Sequence, residues 1–403
     1  MKNRYTPALI VLTSLFFMWG LITSLNDILI PYLKALFELS YFEAMLIQFC
    51  FFGAYFVMSF PSGYLVEKVG YRKGIIIGLL VAGAGCLGFY PAASAHVYAL
   101  FLIALFVLAS GITLLQVAAN PYVAILGDPA TAASRLNLTQ AFNSLGTTVG
   151  PWVGSALILS IVSTAHDASA VKLPYVILAA TLVLIAAVFA QFHLPAVSAE
   201  STAGDAMAGA VGKESVWHHR SLVLGAVAIF VYVGAEVTIG SFLVNYISQA
   251  DVGAMPVSRA GSYVSLYWGG AMVGRFIGSA VLRKVRPGSL LAFNAACAIV
   301  LLFVTMTTHG TAAMYSVLVV GLFNSIMFPT IFTLGIANLG RHTGEGSGVL
   351  CMAIIGGAIV PLVAGHMADA SGIAASFVVP AVCYAYIVYY GIAGHREKAV
   401  SAL

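Results

Sequence analysis

The chain has 403 residues, of which 61% are apolar and 8% charged, with a formal net charge of +4; its mean hydropathy is +0.99. Soluble proteins carry about 25% charged residues, so this composition excludes both a water-soluble enzyme and a disordered chain. Long apolar runs without alternation exclude an outer-membrane barrel, and Lys and Arg scattered over many loops offer no nucleic-acid surface. What remains is an all-α membrane protein. Cys50, Cys86, Cys297, Cys351 and Cys383 stand singly in apolar stretches, which predicts neither a metal site nor a disulfide framework. The first apolar segment is too long for a cleavable signal peptide.

A membrane-crossing helix takes about 20 apolar residues. In chain order the qualifying segments are 8–36, 41–66, 74–93, 97–123, 135–163, 173–194, 221–247, 260–281, 288–308, 312–339, 346–368 and 373–393, twelve spans in all. A polar connector over 195–220 divides them into an N-terminal six-helix bundle (1–194) and a C-terminal one (221–403). With the N-terminus inside, only Lys34, Lys172 and Arg259 fall in outer loops, so both termini and the linker are expected in the cytoplasm.

The two halves repeat weakly. Span 4 carries Asn120-Pro121 and span 10 carries Phe328-Pro329, and each leads through a short loop into a Gly-rich span. Spans 5 and 11 carry Pro151 and Pro361. Two parallel six-helix halves on a cytoplasmic linker is the plan of the major facilitator superfamily. The loop from Gly63 to Gly74, with Glu67-Lys68 and Arg72-Lys73, resembles that superfamily's loop signature, whose charges lock neighbouring helix ends.

Charges within a membrane are costly and need a reason. Asp27 on span 1 and Glu236 on span 7 are acids well inside spans. Pro31 cannot donate to the Asp27 carbonyl, so Asp27 with its neighbours offers several oxygens to a cation such as Na+. Glu236 suits two sugar hydroxyls as an acceptor, or a proton as a carrier. Asn245, nine positions on, faces the other way unless the helix bends near Gly240. Gln116 and Asn120 share a face of span 4, and Gln140, Asn143 and Thr147 a stripe of span 5. Asn324 on span 10, with Tyr267 and Trp268 on span 8, completes a set of amides and rings suited to a sugar. Amides also glue helices together, and aromatic rings also pack. Arg275 reads as a structural residue that snorkels from span 8.

The runs LNDILIPYL (25–33), AANPYVAILG (118–127), RLNLTQAFNSLG (135–146), YVGAEVTIGSFLVNY (232–246), FPTIFTLGIANLG (328–340) and IIGGAIVPLVAG (354–365) resemble the fucose–galactose–glucose:H+ symporter family, in particular its glucose/galactose branch. That resemblance implies a twelve-helix major facilitator fold. It implies a role for Asp27 in sugar recognition and transport, and matches Gln140 and Asn143 to the family's helix 5 Gln-x-x-Asn. The family's fucose permeases carry their proton-coupling acid where this chain has Gln116, which cannot titrate. Either Asp27 or Glu236 then carries the proton, or Na+ is the coupling ion, held by Asp27 with Gln116, Asn120 and Asn143.

The resulting expectation is a secondary active transporter, not an enzyme. It would import a hexose, glucose and/or galactose, by cation symport, with Na+ ahead of H+. The substrate contacts would be Asp27, Gln140, Asn143, Glu236, Asn245, Trp268 and Asn324. No cofactor beyond the coupling ion is expected. The partners would be a small-molecule sugar and the lipid bilayer of a bacterial inner membrane, with a monomeric chain. A proton-coupled fucose-type symporter and a small-molecule exporter are the alternatives.

Overall fold

The computed structural model describes residues 5–37, 41–154, 172–191 and 215–395; within these, the side chains of 25–36, 41–45, 48, 151–154 and 257–258 are not described. The expected linker lies outside the described residues up to position 214. Among the described residues the secondary structure is helical throughout: α1 (Thr6–Leu36), α2 (Tyr41–Val69), α3 (Tyr71–Ala95), α4 (Tyr98–Ile125), α5 (Ala132–Gly154), α6 (Lys172–Gln191), α7 (Arg220–Ser248), α8 (Val257–Val281), α9 (Pro287–Thr307), α10 (Gly310–Asn324), α11 (Met327–Gly335), α12 (Thr343–Met352), α13 (Gly356–Ser371), α14 (Ile373–Ser376) and α15 (Val378–Tyr389), with short 3-10 and π turns between.

Ten helical stretches among the described residues are long and apolar enough to cross a membrane. The expected spans 5 and 8, on α5 and α8, are not among them. α5 carries many Ser, Thr, Asn and Gln residues with Arg135, and α8 many Gly and Ser residues with Arg259 and Arg275, which lowers their hydropathy, and the expected span 5 lies outside the described residues beyond position 154. The last three expected spans are each built from two helical pieces. α10 stops at Asn324 and α11 resumes at Met327; α12 and α13 flank a 3-10 turn at Ala353–Ile355; α14 leads into α15.

The chain forms two compact units, residues 1–126 with 142–198, and residues 127–141 with 199–403. In the first unit α3 packs on α4 and α6, and α2 on α4. Its core combines small and aliphatic residues such as Leu79, Ala82, Leu108, Ala109 and Ile112 with buried rings such as Phe89, Phe101 and Tyr175. α5 meets α1 at Gly146, where an added Cβ would collide with the Phe17 carbonyl oxygen. Close backbone approach of this kind is how small residues drive helix association in lipid. The segment Gly63–Gly74 is helical except at Gly70, and Arg72, in the first turn of α3, donates from Nη2 to Ala190 O at 2.5 Å and from Nε to Phe189 O at 3.4 Å. These are carbonyls at the C-terminal end of α6, which a cation satisfies both by hydrogen bond and by dipole.

The second unit is arranged around α7, which packs on α11, α13 and α15, while α8 and α9 pack on α10. Gly356, at the start of α13, does for α7 what Gly146 does for α1: its missing side chain admits the Phe230 carbonyl. Each unit therefore joins its first long helix to a later one through a glycine against a phenylalanine carbonyl.

Candidate functional site

In the second unit a polar cluster forms inside otherwise apolar helices. Tyr232 and Glu236 lie four apart on α7, one turn on the same face. The Tyr232 hydroxyl donates to Glu236 Oε1 at 2.7 Å and also approaches Asn324 O at 3.2 Å. Asn324 ends α10, and its side chain is shared between two helices. Nδ2 donates to the Tyr267 hydroxyl on α8 at 2.7 Å, and Oδ1 accepts the Tyr384 hydroxyl on α15 at 2.6 Å. Tyr232, Tyr267, Tyr384 and Asn324 are fully buried, whereas Glu236 is partly exposed. The result is a rigid amide–phenol frame with a carboxylate at its accessible edge. An ionised carboxylate accepts about four hydrogen bonds, and Tyr232 occupies only one of those positions.

The frame depends on the break between α10 and α11. An α-helical amide donates to the carbonyl four residues back, and Pro329 has no amide hydrogen for Ser325 O. Arg275 of α8 supplies the missing donor, its Nε lying 3.1 Å from Ser325 O. The preceding carbonyl, Asn324 O, lies 3.2 Å from the Tyr232 hydroxyl, whose one proton it shares with Glu236. Buried backbone carbonyls in a membrane must find donors, so a break persists where side chains provide them. Arg275 also interacts electrostatically with Glu236. Its Nη1 lies 3.5 Å from Gln140 O, in the part of α5 that groups with this unit.

The first unit holds a simpler version. Gln116, buried on α4, donates from Nε2 to the Tyr55 hydroxyl of α2 at 2.8 Å, while its Oε1 is buried without a hydrogen-bond partner among the described residues. Asn120 is fully buried one turn along. Asn143 of α5 donates from Nδ2 to Phe16 O of α1 at 2.9 Å, tying those two helices together. Asp27 lies on α1, in the stretch whose side chains are outside the description.

The structure thus brings Glu236 and Asn324 into one cluster and gives Gln140 a backbone approach to Arg275. Asn245 is exposed on α7, about 13 Å further along the axis than Glu236 at 1.5 Å per residue. Trp268 meets the buried Tyr267 edge-on at 5.1 Å and is itself 43% exposed. Tyr232, Tyr384 and Tyr55 are not among the residues that sequence reasoning picks out. The i, i+4 spacing from Tyr232 to Glu236 is a usable signal. Tyr384 has none, because it is one of several tyrosines near the end of the chain.

The chain is similar to known membrane transporters. The Major Facilitator Superfamily profile matches residues 10–354. The glucose/galactose transporter of Brucella abortus (strain 9-941) is 58% identical over 98% of this chain and 96% of its own. The L-fucose-proton symporter of Escherichia coli K12 is 35% identical over 96% of this chain and 93% of its own. A crystal structure of the Escherichia coli fucose:proton symporter FucP superposes with a TM-score of 0.89 at 32% identity, covering 98% of this chain and all of that one. The chain belongs to the Major Facilitator Superfamily, within its fucose–galactose–glucose:H+ symporter family. It is accordingly a multi-pass membrane transporter of the twelve-helix major facilitator fold, and not an enzyme.

Proposed function

We propose that the protein imports a hexose, glucose and/or galactose, with a cation across a bacterial inner membrane. The observation that carries the sugar half of this reading is the Glu236–Tyr232–Asn324 cluster. A carboxylate with unused acceptor positions, fixed by a phenol and backed by a buried amide, suits vicinal hydroxyls. The edge-on Tyr267–Trp268 pair gives rings of the kind that cover the apolar face of a sugar. The relatives named as glucose/galactose and fucose transporters support the same substrate class. In this reading Glu236 accepts sugar hydroxyls, Gln140 and Asn143 contribute from α5, and Asp27 binds the ion or proton.

For the coupling ion, the relatives named as proton symporters support H+. Sodium, the first expectation from the sequence, has no support among those relatives. One observation favours it as a second reading: Gln116 presents a buried Oε1 without a hydrogen-bond partner among the described residues, a neutral oxygen of the kind Na+ takes and a proton does not. Sugar and ion must strengthen each other's binding by the same factor under either reading.

Radiolabelled glucose uptake into proteoliposomes tests the proposal, first with an inward Na+ gradient at equal pH and then with a proton gradient in Na+-free buffer. Accumulation under the proton gradient alone makes this an H+ symporter, and accumulation under Na+ alone makes it a Na+ symporter, with Gln116 and Asp27 the residues to test as its ion site. Failure to accumulate glucose or galactose under either gradient overturns the proposal. Asp27→Asn is expected to abolish gradient-driven accumulation while leaving counterflow of sugar measurable.

A further inference from the structure

Arg275 is a charged side chain at membrane depth whose electrostatic interaction with Glu236 does not by itself account for where its hydrogen bonds go. Snorkelling toward the headgroups would leave its guanidinium among water and phosphates. Its guanidinium instead points inward, with Nε on Ser325 O at 3.1 Å. The neighbouring Gly274 makes this possible. A Cβ there would run into Leu322 O and Ser325 Oγ, so the bare backbone lets α8 lie directly against the end of α10.

The carbonyl that Arg275 takes is the one Pro329 leaves without an amide. The residue just before that carbonyl is Asn324, which holds Tyr267 and Tyr384 through its side chain and meets Tyr232 through its backbone. A shift of the α10 end would therefore move every partner of the amide, and with it the hydroxyl that fixes Glu236.

We propose that Arg275 is a positioning residue for transport, holding the proline-made break of α10 in place and so setting Asn324 and Tyr232 against Glu236. The inference rests on the reading of Glu236 as a sugar contact, and its test separates the two.

The experiment is a double-mutant cycle between Arg275→Gln and Pro329→Ala in the full-length protein. It is read by the KM and maximal rate of glucose uptake into proteoliposomes and, independently, by thermal unfolding of purified protein without sugar. Arg275→Gln alone is expected to raise KM about tenfold or more, the range for loss of a hydrogen bond from a charged donor, with the maximal rate within about twofold, since the carboxylate and ion site remain. Pro329→Ala restores a peptide N–H to Ser325 O. On that background the same Arg275→Gln change should cost no more than about threefold in KM, a few tenths of the loss seen alone, and the unfolding temperature should show the same non-additivity. Equal losses on both backgrounds, or a fall in maximal rate with unchanged KM, would overturn the proposal. If Arg275→Gln alone fails to fold, the double variant must fold for the proposal to stand. If the wild-type protein transports no hexose, the thermal cycle still reads the Arg275–Pro329 coupling, and the sugar assignment falls by itself.

Discussion

Gln116 on α4 and Asn324 on α10 stand at the same distance before a proline, Pro121 and Pro329, and each amide donates to a tyrosine hydroxyl on the second helix of its half. The two prolines nevertheless have different consequences. α4 runs unbroken from Tyr98 to Ile125 with Pro121 inside it, whereas ahead of Pro329 the helical hydrogen-bond ladder lapses at Ser325–Ile326, although both residues keep right-handed helical dihedrals. The side chains around the interruption account for its stability: Arg275 donates to the carbonyl of Ser325, and the Tyr232 hydroxyl, bonded to Glu236, lies 3.2 Å from that of Asn324. The amides differ in the same direction. Asn324 Oδ1 accepts the Tyr384 hydroxyl, while Gln116 Oε1 has no partner among the described residues. A proline in a transmembrane helix is thus a permission and not an instruction. The surrounding donors decide whether it becomes a break, and the second half has used that break to assemble a carboxylate site.

The comparison can be broken most severely at Asn324. Asn324→Ala strips two buried phenols of their partner at once and is expected to cost about 2–4 kcal/mol of stability, with hexose uptake lost; Gln116→Ala, with one such bond, should cost only about 1 kcal/mol. Equal losses in a thermal unfolding assay would show the two amides to be equivalent after all. Next in size, Gly356→Ala and Gly146→Ala force a methyl against a backbone carbonyl, and each is expected to destabilise by about 1–3 kcal/mol. Similar values for the two would sharpen the repeat between halves. Glu236→Gln keeps a Tyr232 acceptor but loses the charge, and should weaken hexose binding about tenfold, the scale of one charge-assisted hydrogen bond. Normal binding by the purified variant would remove Glu236 from the site. The mildest change, Tyr384→Phe, makes Asn324 resemble Gln116 and should cost about 1 kcal/mol, with transport retained.

Much of this is legible in the sequence. Sparse charge and twelve apolar segments define a polytopic helical membrane protein. The 195–220 connector suggests two halves, and the Gly63–Gly74 loop marks a place where charges cap helix ends, as Arg72 does on α6. Glu236 and Asn324 are readable because an acid or amide at membrane depth requires a partner. The partners are not readable, since Tyr267 and Tyr384 reach Asn324 from positions 57 and 60 residues away in sequence. Arg275 reads as a structural residue able to snorkel because its local sequence shows only a cation near a helix end; the structure gives it a structural contact of another kind, turning the guanidinium onto Ser325 O.

The sequence by itself determined the solvent, the helices and the identity of the buried polar groups, because hydropathy and hydrogen-bonding capacity are properties of single residues and short windows. The tertiary structure decided which hydroxyl meets which amide, and that Pro329 breaks its helix while Pro121 does not. Those outcomes depend on whether a donor from another helix lies within about 3 Å of a freed carbonyl, and no window of sequence contains that distance.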